Sequence, residues 1–564
     1  MATRKYVIGL DFGTKSCRAL VADAKTGAVA ALGVQDYVHG VMDRVLPDGT
    51  TRLGADWALQ DPQDYIEALE HTVHEALTQA ALSGDDIIGL SVDFTASTIL
   101  PIDASGVPLC TWEKYSRRPH AYVKLWKHHA SEPQARQINR LLREKQVLDH
   151  PRYGGKVSSE LMLPKVLQIL QEDPEIYEAA DKILEAADWL TLLMTGEERR
   201  SGSTAAYKAM WSEEEGYLPS ELLKALDPRL EHFVEQKLRG AVWPVGSKLG
   251  ELNAAWAERL GLLPGTAVGT SIIDSHAGMP GCGIAKPRQM MLIIGTSSVQ
   301  AVLSEQPYSG KGIMGGVKGG IIPGYYALET GLAGVGDIFE WFINTSVPAS
   351  YKAKADEAGL NLFRYLSNLA QNSKPGESGL LALDWWSGNK TPFVNANLSG
   401  LILGLSLTTK PEEIYRALVE TTGFGTRMIM EAFETAGVPV DEIYACGGIA
   451  EKDPFLMQIF ADIANREIKV SAVEQTAAFG AAMYASVAAG SERGGCNHIT
   501  EAVSAMSRAR GQTYRPNPAH AAKYSLLYGI YEELCGYFGE RSDTMKQLKA
   551  LRVQGISQTK KGSL

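Results

Sequence analysis

One short pattern occurs twice in this 564-residue chain, almost three hundred residues apart, and it constrains the fold more than any other feature. Residues 6–10 form an apolar run, Asp11-Phe12-Gly13-Thr14-Lys15-Ser16 a turn, and residues 17–22 a second apolar run. Residues 289–294, Gly295-Thr296-Ser297-Ser298 and residues 299–303 repeat the arrangement, with Gly13-Thr14-x-Ser16 and Gly295-Thr296-x-Ser298 in the same register. Strand-favouring residues on both sides of a tight glycine turn predict a hairpin at each place. Two equivalent hairpins so far apart predict one fold used twice.

Ile66, Leu69, Val73 and Ala76 then recur at helical spacing, and residues 87–92 read as a strand. The same alternation follows the second hairpin. Residues 411–436 predict a long helix opened by Pro411 and closed before Gly437, and residues 443–445 a strand leading into Gly447-Gly448. The expected architecture is α/β, with two lobes over residues 1–285 and 286–548 and a Lys-rich, frayed tail over 549–564. A chain of 564 residues exceeds what one hydrophobic core holds, so two large lobes suit it.

Composition narrows the partners. The net charge of -10 opposes nucleic acid and anionic membrane surfaces. Cys17, Cys110, Cys282, Cys446, Cys496 and Cys535 lie far apart without zinc-ligand spacing and read as reduced thiols. The N-terminus runs straight into a strand, and no apolar stretch reaches membrane-spanning length, so the expected location is the cytoplasm. A homo-oligomer is compatible with this composition and is not specified by it.

Nucleotide chemistry needs backbone that approaches anionic oxygens, donors to hold them, and a carboxylate for Mg²⁺. Facing hairpins supply these: Gly13 and Gly295 for close backbone approach, Thr14 and Thr296 as hydroxyl donors, and Asp11 at a strand end as the Mg²⁺ carboxylate or a turn cap. Gly447-Gly448 reads as an adenosine pocket or a plain strand-to-helix turn. No Gly-x-x-x-x-Gly-Lys-Ser/Thr and no strand-linked Gly-x-Gly-x-x-Gly is present, which speaks against P-loop and dinucleotide-binding folds. In residues 272–278 an apolar strand delivers Asp274 to a small-residue segment, as a catalytic base or as a helix N-cap. Lys208 lies between Tyr207 and Trp211 and either binds hydroxyls or faces solvent. Glu329, beside Leu328 and a glycine turn, needs hydroxyls or a cation such as Lys208 to offset burial. Trp126 either stacks on an apolar sugar face or packs in the core. His128 and His129 read as surface residues.

At these residues the chain resembles the FGGY family of carbohydrate kinases over residues 4 to about 490. Residues 6–18 resemble the family's first phosphate loop. Pro164-Lys165, Asp188-Trp189 and Thr195-Gly196 resemble its N-lobe signature. Residues 400–420 resemble its C-lobe signature, with Gly404, Glu413, Ala417 and Glu420 in place and Leu418 departing. The resemblance implies a two-lobed, actin-like (ribonuclease H-like) ATPase fold with the site in the cleft, and ATP with Mg²⁺ as cofactors. It adds Lys15, Ser16 and Arg18 to the ATP loop. Residues 92–98, 207–211, 327–342, 383–386 and 391–392 are closer to the family's L-ribulose kinases than to its glycerol or xylulose kinases. That implies a ketopentose, L-ribulose, bound by Ala96, Lys208, Asp274 and Glu329 with Asp274 as base. His128 stands where relatives carry an acid, and Asp453 where they often carry Asn. An actin- or chaperone-type ATPase of the same architecture would be expected to carry a peptide-binding domain or filament interface instead.

Overall fold

The two largest sheets of the computed structural model, which describes residues 4–147, 156–308, 312–507 and 510–551, have seven strands each and share one plan. The first runs in the order Lys248–Glu251, Ala267–Gly269, Ile87–Phe94, Tyr6–Phe12, Ser16–Asp23, Val29–Asp36, with Ile272–Ile273 also paired to Ile87–Phe94. The second runs Met314–Lys318, Tyr326–Thr330, Ser298–Ser304, Gln289–Ile294, Glu442–Cys446, Ile468–Ser471, Arg510–Tyr514. In both, the first hairpin strand pairs antiparallel with the second and parallel with the next strand inward. Both sheets also carry an antiparallel strand beyond their parallel ones. The repeat of the two Gly-Thr turns is therefore a repeat of whole sheets.

Local sequence accounts for the elements around them. Ile87–Phe94 is buried at every position, as a central parallel strand covered on both faces must be. Asp61 caps the Pro62–Ala80 helix by accepting from the Gln63 N–H, Pro62 opens it, and Ile66, Leu69, Val73 and Ala76 form its buried stripe. That helix covers Ser16–Asp23 and Val29–Asp36 on one face of the first sheet. Pro411–Thr435 is the expected long helix and lies in the core of the second half.

The other face of the first sheet is covered by a helix from the far end of the sequence. Thr476–Ala489 packs on Tyr6–Phe12 and Ile87–Phe94 and against the short Asp274–Gly281 helix. Its sequence, almost all Ala, Gly and Ser apart from Phe479, Met483, Tyr484 and Val487, lets backbones meet. A Cβ on Gly480 would sit 1.8 Å from the Ala277 carbonyl oxygen, one on Gly281 1.9 Å from that of Thr476, and one on Gly9 1.8 Å from that of Ala478.

Two expectations change. Asp11 lies inside the Tyr6–Phe12 strand, because pairing with Ser16–Asp23 continues to Phe12–Cys17 and leaves only residues 13–15 in the turn. His128 is buried, not on the surface: the Ala58 N–H donates to its Nδ1, Gln168 bonds its Nε2, and its ring meets Trp57 edge-on at 4.9 Å. Lys124 lies over the same indole, so burial and this ammonium hold the His128 pKa well below the usual histidine range. His129 is exposed as expected. All six cysteines are free and buried. Of the expected tail, residues 549–551 continue a helix and 552–564 lie outside the described residues. Among the described residues no helix is long and apolar enough to cross a membrane.

The glycine contacts make a direct test. Gly480→Ala has to push two backbones apart and should lose roughly 1–3 kcal/mol, the range for overpacking. Gly529→Ala, exposed in the Pro518–Gly536 helix with nothing near its would-be Cβ, should gain up to about 1 kcal/mol from helix propensity. Equal melting temperatures for the two variants would show that the crossing is not close-packed.

Candidate active site

Three aspartates converge where strands of the first sheet end. Asp11 sits opposite Asp93 in the parallel pairing, and Ile272 also pairs with Asp93, which places Asp274 two residues further along. Arg18, opposite Asp11 across the hairpin, donates from Nη1 to its Oδ2 at 2.9 Å. Asp93 is fully buried; among the described residues neither oxygen accepts a hydrogen bond, and its protonated form can donate to Asp11. Burial, then the charges of Asp11 and Asp274, hold its pKa far above the usual carboxylate range. Asp93 is not among the residues expected at the site, although an acid at the end of an otherwise buried apolar strand is itself a signal. These oxygens are a hard donor set that suits Mg²⁺, and the unpartnered Asp93 oxygens are groups that a hydrated cation would satisfy. Among the described residues no three such groups can enclose a metal, so a cation here takes further ligands from water or phosphate.

The two hairpin turns offer backbone donors, though not at the glycines. The Gly13 N–H is used within its turn, donating to the Ser16 carbonyl at 3.1 Å, and that of Gly295 to the Ser297 carbonyl at 2.9 Å. Closing each turn this way leaves the N–H groups of Thr14, Lys15 and Thr296 without a partner among the described residues. Ser16 is buried at the start of its strand and Arg18 is engaged with Asp11, so neither faces outward as Lys15 does. Gly447, at φ 95°, has a would-be Cβ only 2.6 Å from the Ile294 carbonyl oxygen. Only glycine fits there, and the start of the Gly448–Lys452 helix is thereby brought beside the second turn. Nothing lies within 4 Å of a Cβ on Gly448, which borders open space. Asp453 is occupied in capping the Pro454–Ala464 helix and accepting from Ser367.

Asp274 is the first residue of its helix rather than the cap, and the Ser275 N–H donates to its Oδ1 at 2.6 Å. Burial and the nearby charge of Asp11 raise its pKa, against the Ser275 N–H and Lys208, to about 7. Lys208 ends the Gly202–Lys208 helix, half-buried, where its charge acts on both Asp274 and Glu329. The direct partner of Glu329 is His276, not Lys208: Nε2–H donates to Oε2 at 2.8 Å. The geometry explains this, since Tyr207 packs against the His276 ring at 4.4 Å and Ser203 reaches its Nδ1, fixing the ring toward Glu329. Burial opposes the Glu329 charge, but the His276 hydrogen bond, with Lys208 and Lys390, outweighs it and takes the pKa to about 2. Trp126 is 38% exposed and donates its indole N–H to Thr14 Oγ1 at 3.1 Å, which leaves a ring face open and links it to the first turn. Ala96 is half-buried in the turn after Ile87–Phe94. The arrangement unites a carboxyl raised to about 7, an ionised carboxylate, a nearby ammonium and two donor turns.

The N-terminal domain of the FGGY family of carbohydrate kinases matches residues 6–281, and its C-terminal domain residues 290–489. The chain is 48% identical over 547 residues to a ribulokinase of Anoxybacillus flavithermus, covering 97% of each. It is 49% identical over 551 residues to a ribulokinase of Halalkalibacterium halodurans, covering 98% of each. Among solved structures it is similar to a xylulose kinase from Rhodospirillum rubrum, with a TM-score of 0.76 at 23% identity over 94% of this chain and 98% of that one. That similarity extends the two-domain actin-like fold to this chain.

If the His276–Glu329 contact carries energy, the changes in His276→Phe, Glu329→Leu and the double variant will not add. A buried carboxylate left without its donor costs about 1–3 kcal/mol, and the coupling read by chemical denaturation should fall in that range. Strict additivity would show that the two side chains act independently.

Proposed function

This chain belongs to the FGGY family of carbohydrate kinases, and from that premise we propose that it transfers the γ-phosphate of ATP to the terminal 5-hydroxyl of L-ribulose. The observation that carries the reading is Asp274, a carboxyl raised to about 7 beside Asp11 and within the influence of Lys208 and Glu329. The ribulokinases at 48–49% identity support ribulose as the acceptor.

In this reading the triphosphate lies between the two hairpin turns, on the N–H groups of Thr14, Lys15 and Thr296, with adenosine at Gly447-Gly448. Ala96, Lys208, Glu329 and Trp126 hold the sugar. Glu329, kept ionised by His276, accepts from hydroxyls, and Lys208 offsets the acidic charge of the pocket. Asp274 takes the proton as the sugar oxygen bonds to phosphorus and the bond from phosphorus to the departing ADP oxygen breaks. Mg²⁺ held through Asp11, with Asp93 behind it, would neutralise phosphate charge. Residues 1–285 and 286–548 act as two lobes that close over both ligands and exclude water from the γ-phosphate.

Coupled ADP-release assays across L-ribulose, D-ribulose, the xyluloses and glycerol test the substrate: the highest kcat/KM is expected for L-ribulose. A clear preference for glycerol or D-xylulose would overturn it. For the base, Asp274→Asn should keep fold and nucleotide binding while kcat drops by roughly 10² or more. Since Asp274 must be unprotonated to accept, wild-type kcat/KM should rise with pH up to about 7 and level off above it. Near-normal turnover in Asp274→Asn would remove it from the mechanism.

A further inference from the structure

The turn that carries Ala96 contains one strained residue and is held by two buried charged groups, on other elements, that the proposed chemistry does not use. Ser97 has φ 50°, in the left-handed region that side-chain-bearing residues rarely adopt. Lys165, on the Met162–Glu172 helix, donates from Nζ to the Ser97 carbonyl. Glu185, at the end of the Lys182–Glu185 strand, accepts the Thr98 N–H at 3.0 Å through Oε2. The Ser97 carbonyl and the Thr98 N–H are the two ends of one peptide group. An ammonium and a carboxylate, both buried, thus grip the same peptide plane from opposite sides. Flipping that plane would turn the carbonyl toward the carboxylate and the N–H toward the ammonium, so both contacts would change from attraction to repulsion.

We propose that Lys165 and Glu185 are positioning residues that lock the Ser97–Thr98 peptide plane and so fix Ala96 in the sugar site. The proposal rests on the reading of Ala96 as a sugar contact. Within residues 95–98, Ala96 alone is not buried, and it is the chain neighbour of Ser97, whose ψ a flip would change. The remaining bonds of the turn leave this plane otherwise unheld. Thr95 and Thr98 join through their hydroxyls at 2.8 Å, the Thr98 hydroxyl also reaches the Ala96 carbonyl at 3.4 Å, and the Ala186 N–H donates to the Thr98 carbonyl. Burial presses Lys165 and Glu185 toward their neutral forms, and each one's opposite charge resists this. Two buried charges on one peptide are expensive if the turn only needs to be covered. They are accounted for if its orientation has to be single.

The test compares Lys165→Met, Glu185→Leu and Glu185→Gln with wild type, using the pentulose that wild type turns over best. Lys165→Met and Glu185→Leu should raise KM for the sugar at least ten-fold while KM for ATP stays within two-fold. Glu185→Gln, which keeps an acceptor for the Thr98 N–H, should recover most of the loss. A fall in melting temperature with the ratio of the two KM values unchanged, or an equal rise in both, would overturn the lock in favour of plain core packing. Should Glu185→Leu not fold, Glu185→Gln and Lys165→Met decide: no selective rise in sugar KM in either refutes the proposal. A second readout is independent of sugar chemistry. Hydrogen exchange at the Thr98 amide should accelerate at least ten-fold in Lys165→Met, because freeing the carbonyl end frees the plane, and unchanged exchange would refute the lock. Absence of sugar-dependent ADP release in wild type would count against the functional reading alone, since the exchange measurement still decides the lock.

Discussion

Two backbone carbonyls, those of Ala277 and Thr476, occupy the space where side chains would have to begin on Gly480 and Gly281. No residue larger than glycine lets the Asp274–Gly281 and Thr476–Ala489 helices meet at this separation, and the rest of the cleft takes its position from their meeting. The short helix begins with Asp274, and its third residue, His276, reaches Glu329 on a strand of the other sheet. The long helix lies on Tyr6–Phe12, the strand of Asp11, through a third contact at Gly9. Asp274, Asp11 and Glu329 are thus referred to one crossing of backbones. Interiors at this density shift as rigid pieces, which suits a cleft whose parts must keep register.

Crowded acidity is the second theme of the cleft. Asp11, Asp93, Asp274 and Glu329 share it, and the protein answers each in a different way. Arg18 pairs with Asp11, His276 with Glu329, Asp93 is pushed toward its neutral form, and Asp274 is left with one backbone donor. Asp274, with one backbone donor and no cation in direct contact, is the one raised to about 7, which is where proton transfer is most useful. Burial raises these carboxyls first, like-charge neighbours add to it at Asp93 and Asp274, and a paired donor reverses it at Glu329.

The hairpins, the Pro62–Ala80 and Pro411–Thr435 helices and the strand before Gly447 are legible in the sequence because strand turns, caps and apolar spacing are local. The roles of Asp93 and His276 are not, since each depends on residues far along the chain, Asp11 and Asp274 for one and Glu329 for the other. His128 misleads for the same reason: in sequence it stands among polar residues, while in space it closes over Trp57. Gly13 and Gly295 read correctly as turn residues, but which N–H groups the turns leave outward depends on the hydrogen bonds that close them. The candidate site residues came from the turns and from the family resemblance, and the partners that orient them came from the fold.

Thr476–Ala489 covers a sheet whose own strands all precede residue 274. On the ribosome, the apolar underside of that sheet is therefore synthesised long before the segment that shields it. With roughly two hundred residues still to be added after the short helix, and synthesis at ~5–20 residues per second, the exposed interval is about ten to forty seconds. The first half of this chain is in that sense an unfinished surface during translation until the distant helix arrives. A gene truncated before residue 476 would yield all the strands of the first sheet and no cover for one of its faces.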